Sequence, residues 1–159
     1  MSIAAQLSDY LARQGTKYEV HTHEHSRTSA ETARCANLPA SQLAKSVILE
    51  DETGCVMAVV PADRIVMLGE FARLLGRNKL RLAQEERVAQ LFEGCEPGAI
   101  PAIGMAWGIP TIVDDELESN EVVYVEGGDH ERVLRMTHEQ FHELMRAQPH
   151  GNFSRTPMH

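Results

Sequence analysis

A single-domain α+β fold on a mixed β-sheet is predicted, and three observations carry it. Amphipathic helical stretches alternate with short, β-branched runs. Two pairs of those runs are joined by tight turns, which makes antiparallel hairpins and argues against a doubly wound parallel sheet. The chain of 159 residues is long enough to bury one real core.

In chain order, residues 3–14 put Ile3, Leu7, Tyr10 and Leu11 on one side of a helix, and Gly15 stops it. Residues 18–23 alternate like a half-buried strand. Thr28 with Glu31 three places later is a capping box for a helix over 29–36. Leu38-Pro39 then opens a short helical turn leading into Lys45. Residues 46–50 and 55–60 form the first hairpin, turning at Asp51-Glu52-Thr53-Gly54. Asp63 is expected to cap a helix through Leu75, ended by Gly76. Residues 78–82 are a short strand and 84–92 a helix.

Strands follow at 111–113 and 122–125. Gly127-Gly128-Asp129-His130 turns the chain into a return strand over 132–136, the second hairpin. Thr137 and Gln140 make another capping box for a closing helix to Ala147. The domain is predicted over residues 1–148, with 149–159 a mobile, polar C-terminal tail.

The formal net charge of -8 argues against broad nucleic-acid binding, which needs basic patches that displace counterions. It leaves room for a grip on the end of an RNA. Arg64, Arg73, Arg77, Lys79, Arg81 and Arg87 gather in the centre of the chain and read as a solvated helix face. No apolar run approaches the roughly 18 residues of a membrane span, and no basic-then-apolar leader opens the chain. A cytoplasmic location without a membrane partner is therefore expected. Cys35, Cys55 and Cys95 lack CxxC spacing, which argues against a disulfide framework or a zinc knuckle. Cys95 reads as a small buried thiol rather than a nucleophile.

The strongest chemical signal is the run from Gly94 to Gly104, taken together with Lys45 far upstream. The run is too rich in Gly and Pro for a helix or strand and too apolar for a solvated linker. Such a segment lets main-chain amides approach a ligand closely. A lysine beside a buried strand fits an anionic or ester ligand there; its bland reading is a long side chain snorkelling at a strand start.

His21, His23 and His25 lie at spacing two, which on a strand shares one face and suits a metal. With no carboxylate partner evident, exposed histidines at a strand edge are the preferred reading and no metal site is predicted. His130 sits in a turn, where either a functional or a structural histidine fits. No Gly-x-Ser-x-Gly elbow, phosphate-binding loop or dinucleotide fingerprint is present.

Three features in this order and spacing carry a resemblance: Lys45 opening an apolar strand, the run Cys95-Glu96-Pro97-Gly98-Ala99-Ile100-Pro101, and Gly128-Asp129-His130. Over roughly residues 18–144 the chain resembles the YbaK/ProX family of aminoacyl-tRNA deacylases, which includes the editing domain inserted in bacterial prolyl-tRNA synthetases. The resemblance implies a partly barrel-like mixed sheet flanked by helices. It implies hydrolysis of the ester of a mischarged tRNA, without metal or organic cofactor. The implied partner is the acceptor end of aminoacyl-tRNA, with a prolyl-tRNA synthetase as a second candidate. The chain carries no synthetase, so a freestanding, trans-acting member is expected.

By the same resemblance Lys45, Gly98, Ala99 and His130 belong to the catalytic centre, and Thr28, Ala30, Ile100, Pro101 and Gly128 surround the substrate. Main-chain amides of 98–100 would stabilise an oxyanion, and Lys45 would hold the terminal adenosine. A small pocket favours alanine as the amino acid removed, from Ala-tRNA(Pro), with cysteine or serine next. Many relatives carry a proline where this chain has Ala102, which bears on pocket shape. Two rivals stand beside this reading: a module that binds tRNA ends without hydrolysis, and a metal-dependent hydrolase using His21, His23 and His25.

Overall fold

A computed structural model describes residues 3–157. Helix α1 (Ala5–Gln14) precedes β1 (Glu19–Thr22) and α2 (Ser29–Cys35). A 3-10 turn at Ala40–Gln42 leads into β2 (Leu43–Asp51), which returns as β3 (Gly54–Pro61). Then come β4 (Ile65–Val66), α3 (Leu68–Leu75), β5 (Arg81–Leu82) and α4 (Glu85–Leu91). The Gly/Pro run ends in a second 3-10 turn at Gly104–Trp107, before β6 (Thr111–Asp114) and the one-turn helix α5 (Asp115–Glu118). β7 (Val122–Glu126), β8 (Arg132–Thr137), α6 (His138–Met145), β9 (His150–Gly151) and β10 (Ser154–Arg155) complete the chain.

The main sheet runs β1-β8-β7-β2-β3-β6-β9, with β5 also on β2, and β4 pairs β10 separately. Both expected hairpins are antiparallel, whereas β2–β7, β3–β6 and β6–β9 are parallel. The sheet is therefore mixed, as the sequence predicts. Strand alternation on β3 divides the core: Met57 and Val59 join Leu7, Leu11, Ile103 and Phe141 in one apolar layer, and Val56, Ala58 and Val60 join Phe71, Ile112 and Phe153 in another. Helix ends follow their capping residues. Gly15 closes α1 in the left-handed region, the Thr28 side chain accepts the Glu31 amide, and Thr137 with Gln140 forms a complete capping box on α6. Among the described residues no helix is long and apolar enough to cross a membrane.

The C-terminal segment departs from expectation. It is not a mobile tail, because β9 and β10 are both paired and Phe153 between them is fully buried. The Phe153 ring meets Phe71 edge-on at 4.8 Å, and its amide donates to the Asp114 carboxylate at 2.9 Å. One apolar residue in a polar stretch has no periodicity to betray it. Met158 and His159 lie outside the described residues.

Asp63 does not cap α3. The β-branched pair Ile65-Val66 finds a partner in β10 and stays extended, so the helix starts after Met67. β1 is exposed along its whole length rather than half-buried. The central basic residues share no helix face, since only Arg73 and Arg87 lie on helices. Cys35, Cys55 and Cys95 are free thiols, and burial pushes Cys95 up to about 11, which keeps it protonated and unreactive.

Candidate active-site cleft

Strand β2 changes partner along one edge, and the change opens a gap. It pairs β7 through Leu43 and Ala44, and β5 through Leu49 and Glu50. Between them Lys45, Ser46 and Val47 keep β3 on the other edge but, among the described residues, have no strand facing the gap. The Ile48 carbonyl accepts the Ala83 amide on the gap side, and the Leu43 carbonyl accepts the Ala62 amide on the β3 side. Alternation along the strand therefore turns the main-chain N–H and C=O of Ser46 into the gap.

An open cleft of about 600 Å³ occupies this gap. Lys45, Ser46 and Ile48 of β2 line one side. Gly98 and Ile100 of the Gly/Pro loop face it, the start of α2 adds Thr28 and Ala30, and Glu85 and Val88 of α4 close the rim. The lone amine and the stiff turn thus meet across one depression, which is the juxtaposition the sequence predicts.

Lys45 is half-buried, and its Nζ donates to the Arg64 carbonyl at 2.8 Å. Burial pulls its pKa below the ordinary lysine value of 10.5, and the Asp63 carboxylate nearby opposes that pull. An ammonium has three donors, so one main-chain bond leaves others for a ligand.

The loop is built for close approach. Gly98 has φ +82, and a Cβ there would collide with the Arg27 carbonyl oxygen and come within 3.1 Å of His130 Cε1. The Ser46 hydroxyl donates to the Ile100 carbonyl at 3.0 Å, tying the loop to the strand beside Lys45. The Ala99 amide donates to the Glu96 carbonyl at 3.1 Å. Among the described residues the amides of Gly98 and Ile100 carry no such bond.

Not every expected residue reaches the cleft. Lys45, Gly98, Ile100, Thr28 and Ala30 line it, whereas Ala99, Pro101, Gly128 and His130 are buried behind the loop. The Ala99 amide is already committed, so it is not a free oxyanion donor. Gly128 lies against Ala4 and Cys95, and its carbonyl accepts the Glu96 amide at 2.8 Å. His130 adopts φ +63 and donates from Nε2 to the Pro97 carbonyl, while its Nδ1 is buried without a partner among the described residues. A ring so placed props up the turn from behind.

The three spaced histidines do not converge. His21 approaches Glu19 at 3.8 Å, His23 Nδ1 donates to the Glu24 carbonyl, and His25 packs edge-on to His130 with ring centroids 5.5 Å apart. Among the described residues no group of three or more His, Cys, Asp or Glu is placed to hold a metal ion. No motif in the sequence marks Arg27, Glu85 or Val88 as cleft residues. Ser46 carries a signal, as the one hydroxyl on β2 and the neighbour of Lys45.

Comparison with known proteins gives a consistent result. A family model described as an aminoacyl-tRNA editing domain matches residues 23–144. A proline–tRNA ligase from Thermosipho africanus (strain TCF52B) is 31% identical over 78 residues, covering 49% of this chain and 14% of the ligase. A solved structure of a proposed trans-editing enzyme for prolyl-tRNA synthetase is 26% identical with TM-score 0.80, over 94% of this chain and 95% of that one. The hypothetical protein APE2540 shares the fold with TM-score 0.82 at 24% identity, over 94% and 99% of the two chains.

Proposed function

The chain belongs to the aminoacyl-tRNA editing domain family, and from that premise we propose that it acts in trans as a deacylase, hydrolysing the ester that joins a wrong amino acid to tRNA. The observation that carries this reading is the meeting of Lys45 with the Gly98 turn across one cleft. An aminoacyl ester is already activated, so the protein needs no strong nucleophile. It must position water, stabilise the developing oxyanion and hold the tRNA end.

The amides of Gly98 and Ile100 are suited to the oxyanion, and one such donor is typically worth about 3 kcal/mol. The Lys45 ammonium supplies positive charge for ribose or phosphate oxygens of the terminal adenosine. His130 acts from behind, keeping the Pro97-Gly98 turn in shape. The apolar lining sets the bulky Ile48, Leu82 and Ile100 beside Ala30, Ala62, Ala83 and Val88. That composition favours a small amino acid: alanine on tRNA(Pro) first, cysteine or serine next, since a synthetase cannot strongly reject smaller side chains by size alone. The acceptor end of tRNA is then the partner, with a prolyl-tRNA synthetase as a second.

Incubation with a panel of mischarged tRNAs tests this. Ala-tRNA(Pro) is expected to lose its ester fastest, and Lys45→Ala to fold normally yet lose at least about a hundredfold in rate. Protection of every ester by the wild-type protein would make it a binding module instead. Wild-type turnover by Lys45→Ala would remove the lysine from the site.

A further inference from the structure

The Lys45 ammonium is held by the carbonyl of Arg64, and Arg64 is held by the end of the chain. Its Nε donates to Ser154 Oγ at 2.8 Å and its Nη2 to the Ser154 carbonyl at 2.7 Å, with Nη1 at 3.5 Å from Thr156 Oγ1. The Arg64 amide is fixed as well, donating to the Pro61 carbonyl at 3.0 Å. Just beyond, β4 pairs β10 with Val66 opposite Ser154, and the Met67 amide donates to the Phe153 carbonyl at 2.7 Å. Ser154 is buried, and Phe153 anchors the segment in the apolar layer under β3.

We propose that Arg64 is a positioning residue for Lys45, and that the C-terminal strand, through Ser154, is a working part of the site. This rests on the deacylase reading only for its kinetic consequence. The guanidinium ties the Pro61–Arg64 turn to the C-terminal strand while the Arg64 amide closes that turn on Pro61, so the Arg64 carbonyl presents one fixed acceptor to the amine. A four-carbon lysine stem has many rotamers. One fixed main-chain acceptor selects among them and aims the remaining donors. Ser154 and Thr156 lie beyond residues 23–144, the stretch that the editing-domain model matches.

Arg64→Gln keeps the carbonyl and removes the clamp; Ser154→Ala is the milder variant, to be used alone if the first does not fold. Two readouts are measured: kcat and KM on the mischarged tRNA that the wild type hydrolyses best, and the titration of Lys45 by NMR of protein labelled at lysine Cε. With the clamp gone, kcat is expected to fall between about tenfold and a hundredfold while KM changes little, because misplacement by about 1 Å has that scale of effect. The Lys45 titration should move back towards the ordinary lysine range, as the amine leaves its half-buried seat. In a Lys45→Ala background the same substitution should cost nothing further.

An unchanged Lys45 titration with wild-type kcat would overturn the proposal. So would an equal loss in the Lys45→Ala background, which would mean that Arg64 acts apart from the lysine. If wild-type protein hydrolyses no tRNA at all, the deacylase reading fails by itself, and the titration still decides the clamp.

Discussion

The two walls of the cleft are held by different means. The β2 wall, with Lys45 and Ser46, belongs to a ladder of eight consecutive residue pairs with β3. The facing loop has no ladder. Among the described residues three hydrogen bonds tie it to other segments: the Ser46 hydroxyl on the Ile100 carbonyl, the His130 ring on the Pro97 carbonyl, and the Glu96 amide on the Gly128 carbonyl. In a ladder each bond is backed by its neighbours, so a single side-chain change shifts the backbone little. In the loop each contact bears alone on where the Gly98 and Ile100 amides point. Changes of similar chemical size should therefore hurt the loop wall more than the strand wall.

The sharpest way to break that contrast is Gly98→Ala. The added methyl meets a main-chain oxygen of Arg27, which cannot swing aside, and the backbone sits at φ +82. Left-handed geometry alone costs an L-residue about 1–2 kcal/mol. The turn is expected to shift, and deacylation to fall by more than about a hundredfold while circular dichroism stays native. Near wild-type turnover would mean that this glycine does not set the cleft.

The loop's support can be probed from behind. His130 belongs to a buried polar layer that also holds Ser26, Thr32, Glu126 and Asp129. Ser26 and Thr32 share a hydroxyl–hydroxyl bond of 2.6 Å, and Asp129 pairs with Arg132. The Glu126 carboxylate oxygens are buried with no hydrogen-bond partner among the described residues. Burial, aided by the Asp129 charge and opposed by Thr32, raises Glu126 from 4.5 to about 7.

The sign follows from proton linkage. Between 4.5 and about 7 the folded protein holds the proton and the unfolded chain does not. This group's contribution is therefore fully favourable below 4.5 and is lost as pH rises through about 7. Glu126→Gln should match the wild type at pH ~4 and exceed its stability at pH ~8 by up to about 3 kcal/mol in chemical denaturation. Parallel pH–stability curves for the two proteins would show that the layer behind the loop is not strained by this charge.

What could be read from the sequence follows the same division. Capping boxes, hairpin turns and the β2–β3 run are local patterns, and the elements they predict form with shifts of one to a few residues at their ends. Lys45 and Gly98 stood out because their chemistry contradicts their surroundings: a cation beside an apolar strand, and glycine and proline in a greasy run. The division of that run into front and back was not legible. Gly98 and Ile100 face the cleft while Ala99 and Pro101 turn inward, and a loop has no fixed period from which to infer this. The C-terminal strands escaped notice for a related reason: their pairing partners lie some ninety residues earlier for β10, and in a short parallel contact for β9.

The smallest expected effect is also the one that tests whether the walls are coupled. Ser46→Ala deletes the hydroxyl that donates to the Ile100 carbonyl and leaves the β2–β3 ladder untouched. One such bond contributes about 1 kcal/mol net. If that bond holds the loop against the strand, the loss should appear in catalysis, as a fall of about fivefold in kcat/KM. Thermal stability should move by only a few degrees. The reverse pattern, a lower melting temperature with unchanged kcat/KM, would separate the two walls. It would mean that the Gly98 turn keeps its shape through His130 and Gly128 alone, and that the strand merely lies beside it.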